Sequence, residues 1–331
     1  MSYSTGSATG PNDLLDKIRA FLLAEGWAVN LFTAIGAGYR LHVQKTAGDA
    51  TVMYFNFRSA VAETGTTLIA EDNIGNANGT VTGILVNGST GYDVGQVWHK
   101  QTGYPKNTSN QSFACCMTQM SVTAIPAYYL FTVDDTVHIV VEVTSGKFQF
   151  MSFGLLEKQG AYTGGQFFTA SWPSYDPYSD WNAGYCGPRY FTFNISGGQN
   201  GAVYYDADAT ASWRRADSAS VRQIIFPCVA GQSANPWYYS QGGLCSMFWA
   251  FAPNAYNAMA AQSPIHILGL RSDNNYSLLG WPAGVRFLNV THYTQGQEIA
   301  YGGETWKVFH ADSGNFTPSN MYCGFAFLKV V

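Results

Sequence analysis

Charge is scarce in this chain. Asp, Glu, Lys and Arg supply only 11% of its 331 residues, against roughly 25% in an ordinary soluble domain. Apolar residues at 47% and aromatics at 15% are too abundant for a charged disordered chain. Ala, Glu, Lys and Leu do not dominate, which excludes a coiled coil. The net charge of -4 carries no basic excess, so no nucleic-acid partner is expected. No run of about 18 consecutive apolar residues occurs, so no membrane insertion is expected. The opening Met1-Ser2-Tyr3-Ser4-Thr5-Gly6 lacks the basic-then-apolar order of a secretory leader. The expectation is a chain made and folded in a cytosol. The six cysteines contain no CxxC pair. Free, mostly buried thiols are expected, and no metal set. Phosphate-loop, dinucleotide, HExxH and GxSxG motifs are missing, so no cofactor and no catalytic residue are indicated.

Glycine is plentiful, at 35 residues. The length suits two domains or one large β-rich domain, with a core that needs no disulfide or metal. The small polar residues 1–11 read as a flexible N-terminal arm. A helix follows. Asn12 offers an N-cap, and Asp13 suits the positive end of the dipole. Leu14, Leu15, Ile18, Phe21 and Leu22 form one stripe, and Gly26 is a natural stop. Residues 39–45 and 52–58 alternate as a hairpin around the turn Ala47-Gly48-Asp49, and 81–87 reads as a third strand. Residues 88–112 read as a long loop. Runs 128–133, 136–143 and 147–153 form a meander, with Asp134-Asp135 as its first tight turn. Helix first and strands after predict an α+β fold, predominantly antiparallel β, with the helix packed on a sheet over residues 12–170. Residues 171–331 read as a second, β-rich domain with aromatic loops, sandwich- or barrel-like.

Chemistry-bearing residues are few. Trp172, Tyr175, Asp176, Asp180 and Trp181 lie together. Aromatic faces beside carboxylates are how a sugar site is built, because a ring stacks on a pyranose while polar groups fix the hydroxyls. The same residues also read as a Pro- and Tyr-rich loop whose Asp side chains make Asx turns. Asp206 and Asp208 do not by themselves make a calcium loop. His138 and His266, each between β-branched residues, read as strand residues. Arg214 and Arg215 are the one Arg-Arg pair, suited to an acidic surface or to an ion pair at a strand end.

Several segments resemble structural proteins of tailed bacteriophages. They are Leu14-Leu15-Asp16-Lys17-Ile18 to Gly26-Trp27, Tyr39-Arg40-Leu41-His42-Val43, and Tyr54-Phe55-Asn56-Phe57-Arg58-Ser59. The block from Asp135 to Val143 with Phe150-Met151-Ser152-Phe153-Gly154, then Gly164-Gly165-Gln166-Phe167-Phe168, is similar too. So is the ending from Gly303 to Phe309 with Gly324-Phe325-Ala326-Phe327. The resemblance covers residues 12–170 well and the rest loosely, and it carries no catalytic motif. It implies a virion role at the tail or its baseplate, with a neck or collar position as an alternative. The implied partners are other tail or baseplate proteins and further copies of the chain, as a ring or trimer. Assembly would take place in the host bacterial cytoplasm. The aromatic loop keeps a second expectation open, a tail module that binds a host surface glycan, and a third, an enzyme that degrades polysaccharide. Loss of glycan affinity in Trp172→Ala or Trp181→Ala would mark the second. Loss of turnover in Asp176→Asn or Asp180→Asn would mark the third.

Overall fold

A computed structural model describes residues 2–48, 50–64, 80–104, 114–117, 120–160, 167–172, 202–205, 213–215, 256–257, 259–265, 267–270, 276–310 and 323–329. The chain opens with β1 (Ser2–Ala8), α1 (Pro11–Ala24), β2 (Ala28–Ile35), β3 (Gly38–Thr46), β4 (Val52–Thr64), β5 (Thr80–Ser89) and β6 (Cys115–Met117). It continues with β7 (Ile125–Val133), β8 (Thr136–Thr144), β9 (Lys147–Lys158), β10 (Phe167–Trp172), β11 (Ala202–Tyr205) and β12 (Trp213–Arg215). It ends with β13 (Ser263–Pro264), β14 (Ile267–Leu270), β15 (Tyr276–Pro282), β16 (Val285–Asn289), β17 (Glu298–Tyr301), β18 (Glu304–His310) and β19 (Cys323–Lys329). The fold is α+β and predominantly antiparallel, as the patterning predicts.

These strands make three sheets. The first runs β2-β3-β4-β5-β6. The central one runs β1-β7-β8-β9-β10-β11-β12, with β15 also on β9 and β14 on β15. The third runs β13-β16-β19-β18-β17. All their pairings are antiparallel. Among the described residues no sheet closes into a barrel.

Alternation explains why the central sheet is buried on both faces. Tyr128 and Leu130, Val137 and Ile139, and Met151 and Phe153 point to the first sheet, where they share a core with Leu41, Val43, Phe55 and Phe57. Phe153 sits 5.0 Å from the Phe55 ring and 5.8 Å from Trp27. The buried stripe of α1 joins the same core. On the opposite face Phe131 stacks on Phe327 at 5.4 Å, and Phe148 meets Phe309 at the same distance. Val133 belongs to the core of the third sheet. Gly154, at φ 124°, passes so close to the Asp135 carbonyl that a Cβ would collide with it, so the tight crossing of β9 under the β7–β8 turn needs glycine there.

Four expectations are corrected. Residues 1–11 are not a free arm along their length, because Ser2–Ala8 is an edge strand paired with β7 from Ser2↔Thr132 to Gly6↔Tyr128. Its small polar residues show no strand period, but β7 offers a row of backbone groups and Thr5 Oγ1 donates to the Tyr128 carbonyl at 2.8 Å. The helix is capped at Gly10, with Pro11 at its first position. Asn12 instead sits in the first turn, donating to the Ala37 carbonyl at 3.0 Å and accepting from Ser59 Oγ at 2.6 Å. The boundary expected at 170/171 falls inside β10, which pairs with β9 from Phe167 to Trp172. The strand β2, between the helix and residues 39–45, has no counterpart among the expected elements. The Asp134–Asp135 turn is found as expected, with Asp134 at φ 53° and Asp135 bridged to Lys45 at 2.9 Å.

Candidate functional site

The outer face of the first sheet carries a row of buried polar side chains. Leu41, Phe55, Phe57, Ile84 and Val86 take the inward positions of β3, β4 and β5, so His42, Asn56 and Asn87 point the other way. Register places them side by side, with His42 opposite Asn56 and Asn56 opposite Asn87. Each is at most 1% exposed, and the loop 90–104 meets the row at both ends, Tyr92 against His42 and His99 against Asn87.

Hydrogen bonds fix the chemistry of this row. Asn56 Nδ2 donates to Asn87 Oδ1 at 3.2 Å and to Ser89 Oγ at 3.1 Å. Its Oδ1 is therefore the acceptor for His42 Nδ1 at 2.7 Å, which assigns the proton of His42 to Nδ1. Burial drives the His42 imidazole down to about 4, against the upward pull of the Asn56 bond; Arg40 adds to the fall. The ring is neutral at pH 7, and its Nε2 lone pair is buried with no hydrogen-bond partner among the described residues. Ser89 Oγ donates to the Gly91 carbonyl at 2.9 Å. With Asn56 on one side and Gly91 on the other, that hydroxyl is engaged in holding the loop.

The row holds the loop down by its backbone. Asn87 Nδ2 donates to the His99 carbonyl at 2.9 Å. Gln101 bridges the loop internally, accepting from the Asp93 amide at 2.7 Å and donating to the Val97 carbonyl at 3.2 Å. Trp98, 1% exposed, anchors the loop in a small core with Ala60, Val81, Leu85 and Ala114. Residues 93–96 are exposed at the tip, and Val94 is 65% exposed. The result is an exposed tip on a rigid base.

Two further buried polar sites lie elsewhere: the Arg58–Glu63 pair, which has no signal in the sequence, and His138, which reads there as a strand residue. Arg58 Nη2 reaches both oxygens of Glu63, at 2.7 and 2.6 Å. A register shift lies between Ala60 and Glu63, with Ala62 at φ 50°, and such a bulge re-aims the Glu63 side chain. Burial lowers the Arg58 pKa while Glu63 opposes the shift. His138 joins the central and third sheets, with Nδ1 2.8 Å from Ser152 Oγ and Nε2 donating to the Ala283 carbonyl at 2.6 Å. Full burial pushes His138 down to about 4, against the Ala283 bond.

Of the sequence-predicted sugar-site residues, Trp172 closes β10, opposite Phe150. Tyr175, Asp176, Asp180 and Trp181 lie outside the described residues, as do Asp206, Asp208 and His266. Arg214 and Arg215 lie in β12, opposite Tyr204 and Val203. Cys115 is buried, its Sγ 3.4 Å from Thr169 Oγ1. Among the described residues no three His, Cys, Asp or Glu side chains come together as a metal set. No family model matches the chain, and no curated protein matches it.

The polar row makes a measurable prediction. Asn56→Leu leaves the His42 Nδ1–H and the Asn87 Oδ1 without partners, so it should cost about 2–4 kcal/mol in urea denaturation. Amide exchange across residues 90–104 should rise with it. A cost near zero with unchanged exchange would show that the loop does not rest on this row.

Proposed function

We propose that the chain is a non-catalytic structural subunit of a bacteriophage tail or baseplate, working through protein–protein interfaces. One observation carries this reading. The exposed tip of the loop 90–104 is clamped from beneath by Asn87, Gln101 and Trp98, and a contact element fixed before binding loses little entropy on association. His42 and Asn56 bond along the row to Asn87, which makes the bond to the loop at the His99 carbonyl. A three-sheet body with its central sheet buried on both faces suits a part that must bear load without deforming. The resemblance of residues 12–170 to tailed-phage structural proteins supplies the setting. The partners are then other tail or baseplate proteins and further copies of the chain, and the location is the virion tail.

Cross-linking mass spectrometry on purified phage particles tests this directly. Links from the loop 90–104 to other chains are expected. Links confined within the chain would overturn the reading.

A further inference from the structure

Among the described residues the strand β2 pairs with β3 on one side and with nothing on the other. Its sequence, Ala-Val-Asn-Leu-Phe-Thr-Ala-Ile, holds no charge and no proline. Free edges are normally guarded by such residues. The edge strand β17 is guarded in that way: Glu298 is bridged to Lys307 at 3.3 Å and to Lys329 at 2.9 Å. Two of the large exposed apolar side chains lie in β2 and in the helix before it. Ile35 closes β2 at 36% exposure, and Leu23 is 45% exposed. Leu23 lies one helical turn beyond Arg19, whose guanidinium sits over the Phe32 ring at 5.0 Å.

The backbone phase of this edge can be read. Ala34 stands opposite Tyr39, and the Tyr39 amide donates to Ser59 Oγ on the far side of β3 at 2.8 Å. The Ala34–Tyr39 pair is therefore one without hydrogen bonds between β2 and β3. Ala34, and Phe32 two residues before it, direct their N–H and C=O outward. Phe32 faces the core and stacks on Tyr39 at 5.0 Å. Thr33, with Leu31 and Ile35, lies on the outer face.

We propose that β2 is the edge at which a second copy of this chain adds, antiparallel, about a two-fold axis at Thr33. That register pairs each Phe32 with the other copy's Ala34, both with outward backbone groups, so the two exchange hydrogen bonds. Leu31 meets Ile35 on the outer face, and Thr33 meets Thr33. Every pair is like with like and stays on one face. An isologous contact demands that self-complementarity. The proposal names one interface within the assembly reading above and rests on that reading for its expectation of self-association.

Sedimentation equilibrium of the full chain tests it, using Thr33→Lys, Thr33→Glu and an equimolar mixture of the two. The wild type should self-associate below about 100 µM. Thr33→Lys should weaken association at least about tenfold, because like charges then face each other across the axis. Mixing it with Thr33→Glu should restore association. Thr33 also stands opposite Arg40 in β3, so Ala34→Pro serves as a second probe. It removes an outward N–H, leaves the β3 ladder whole, and should dissociate the pair. A wild type that is monomeric at that concentration overturns the proposal. So does a chain whose association ignores both Thr33→Lys and Ala34→Pro, which leaves the wider assembly reading standing. Failure of that wider reading is registered separately, by absence of the chain from particles.

Discussion

Phe150→Ala is expected to destabilise the protein by about 3–5 kcal/mol, the range for deleting a fully buried aromatic ring. Phe150 is 0% exposed and lies on the face of β9 that meets the third sheet. Its ring is 5.3 Å from Phe325, 5.9 Å from Phe327 and 6.3 Å from Phe309. Phe325 and Phe327 come from β19 and Phe309 from β18, so one truncation removes a shared partner of both strands. The cavity cannot close easily, because these rings also pack on one another and on Phe131. Phe150→Leu keeps most of the volume and should cost under about 1.5 kcal/mol. Urea titration of both variants measures the difference. Equal costs for the two would mean that the third sheet does not depend on this ring.

Acid should be at least as damaging, through two histidines. His42 and His138 are each held down to about 4 by burial, whereas an unfolded histidine titrates near about 6.5. Between those values the unfolded chain binds protons that the folded chain does not, so stability falls as pH falls. Above about 6.5 the full stability is present, and below about 4 this part of the loss is complete. Each histidine accounts for about 3 kcal/mol across the window. Glu157 works against the slope, because burial raises its carboxyl pKa. Glu298 acts below its usual range, where Lys329 and Lys307 hold it down, so its contribution is lost at lower pH than that of the histidines. Urea midpoints from pH 7.5 to 4 give the profile. His138→Gln should flatten it by about half, since the two histidines contribute similarly. A profile flat from pH 7 to 5 would contradict the burial of both rings.

Periodicity carries much of this fold. The stripe from Leu14 to Leu22 specifies the helix, and the meander 128–153 is legible because its strands are long and joined by tight turns. Other parts are set by partners that no local window contains. Ser2–Ala8 has the composition of a loose end and becomes a strand because β7 is there to pair with it. The pattern of Ala28–Ile35 is broken by a register shift between Val29 and Leu31, so its alternation fails. The polar row is partly visible. Asn56 stands between Phe55 and Phe57, and Asn87 follows Ile84-Leu85-Val86, which marks both as polar interruptions of apolar runs. That they lie beside each other and beside His42 follows from lateral register, which a single strand does not encode. The buried Arg58–Glu63 pair depends on a bulge and leaves no trace in composition. Of the aromatic sugar-site residues, only Trp172 reaches a described strand, so the glycan alternative rests on sequence alone.

Quantitative mass spectrometry of purified phage particles tests the central proposal most directly. A fixed copy number per particle, a small multiple of two, three or six, is the expected result for a subunit that closes an assembly on itself. Absence of the chain from the particles would contradict it.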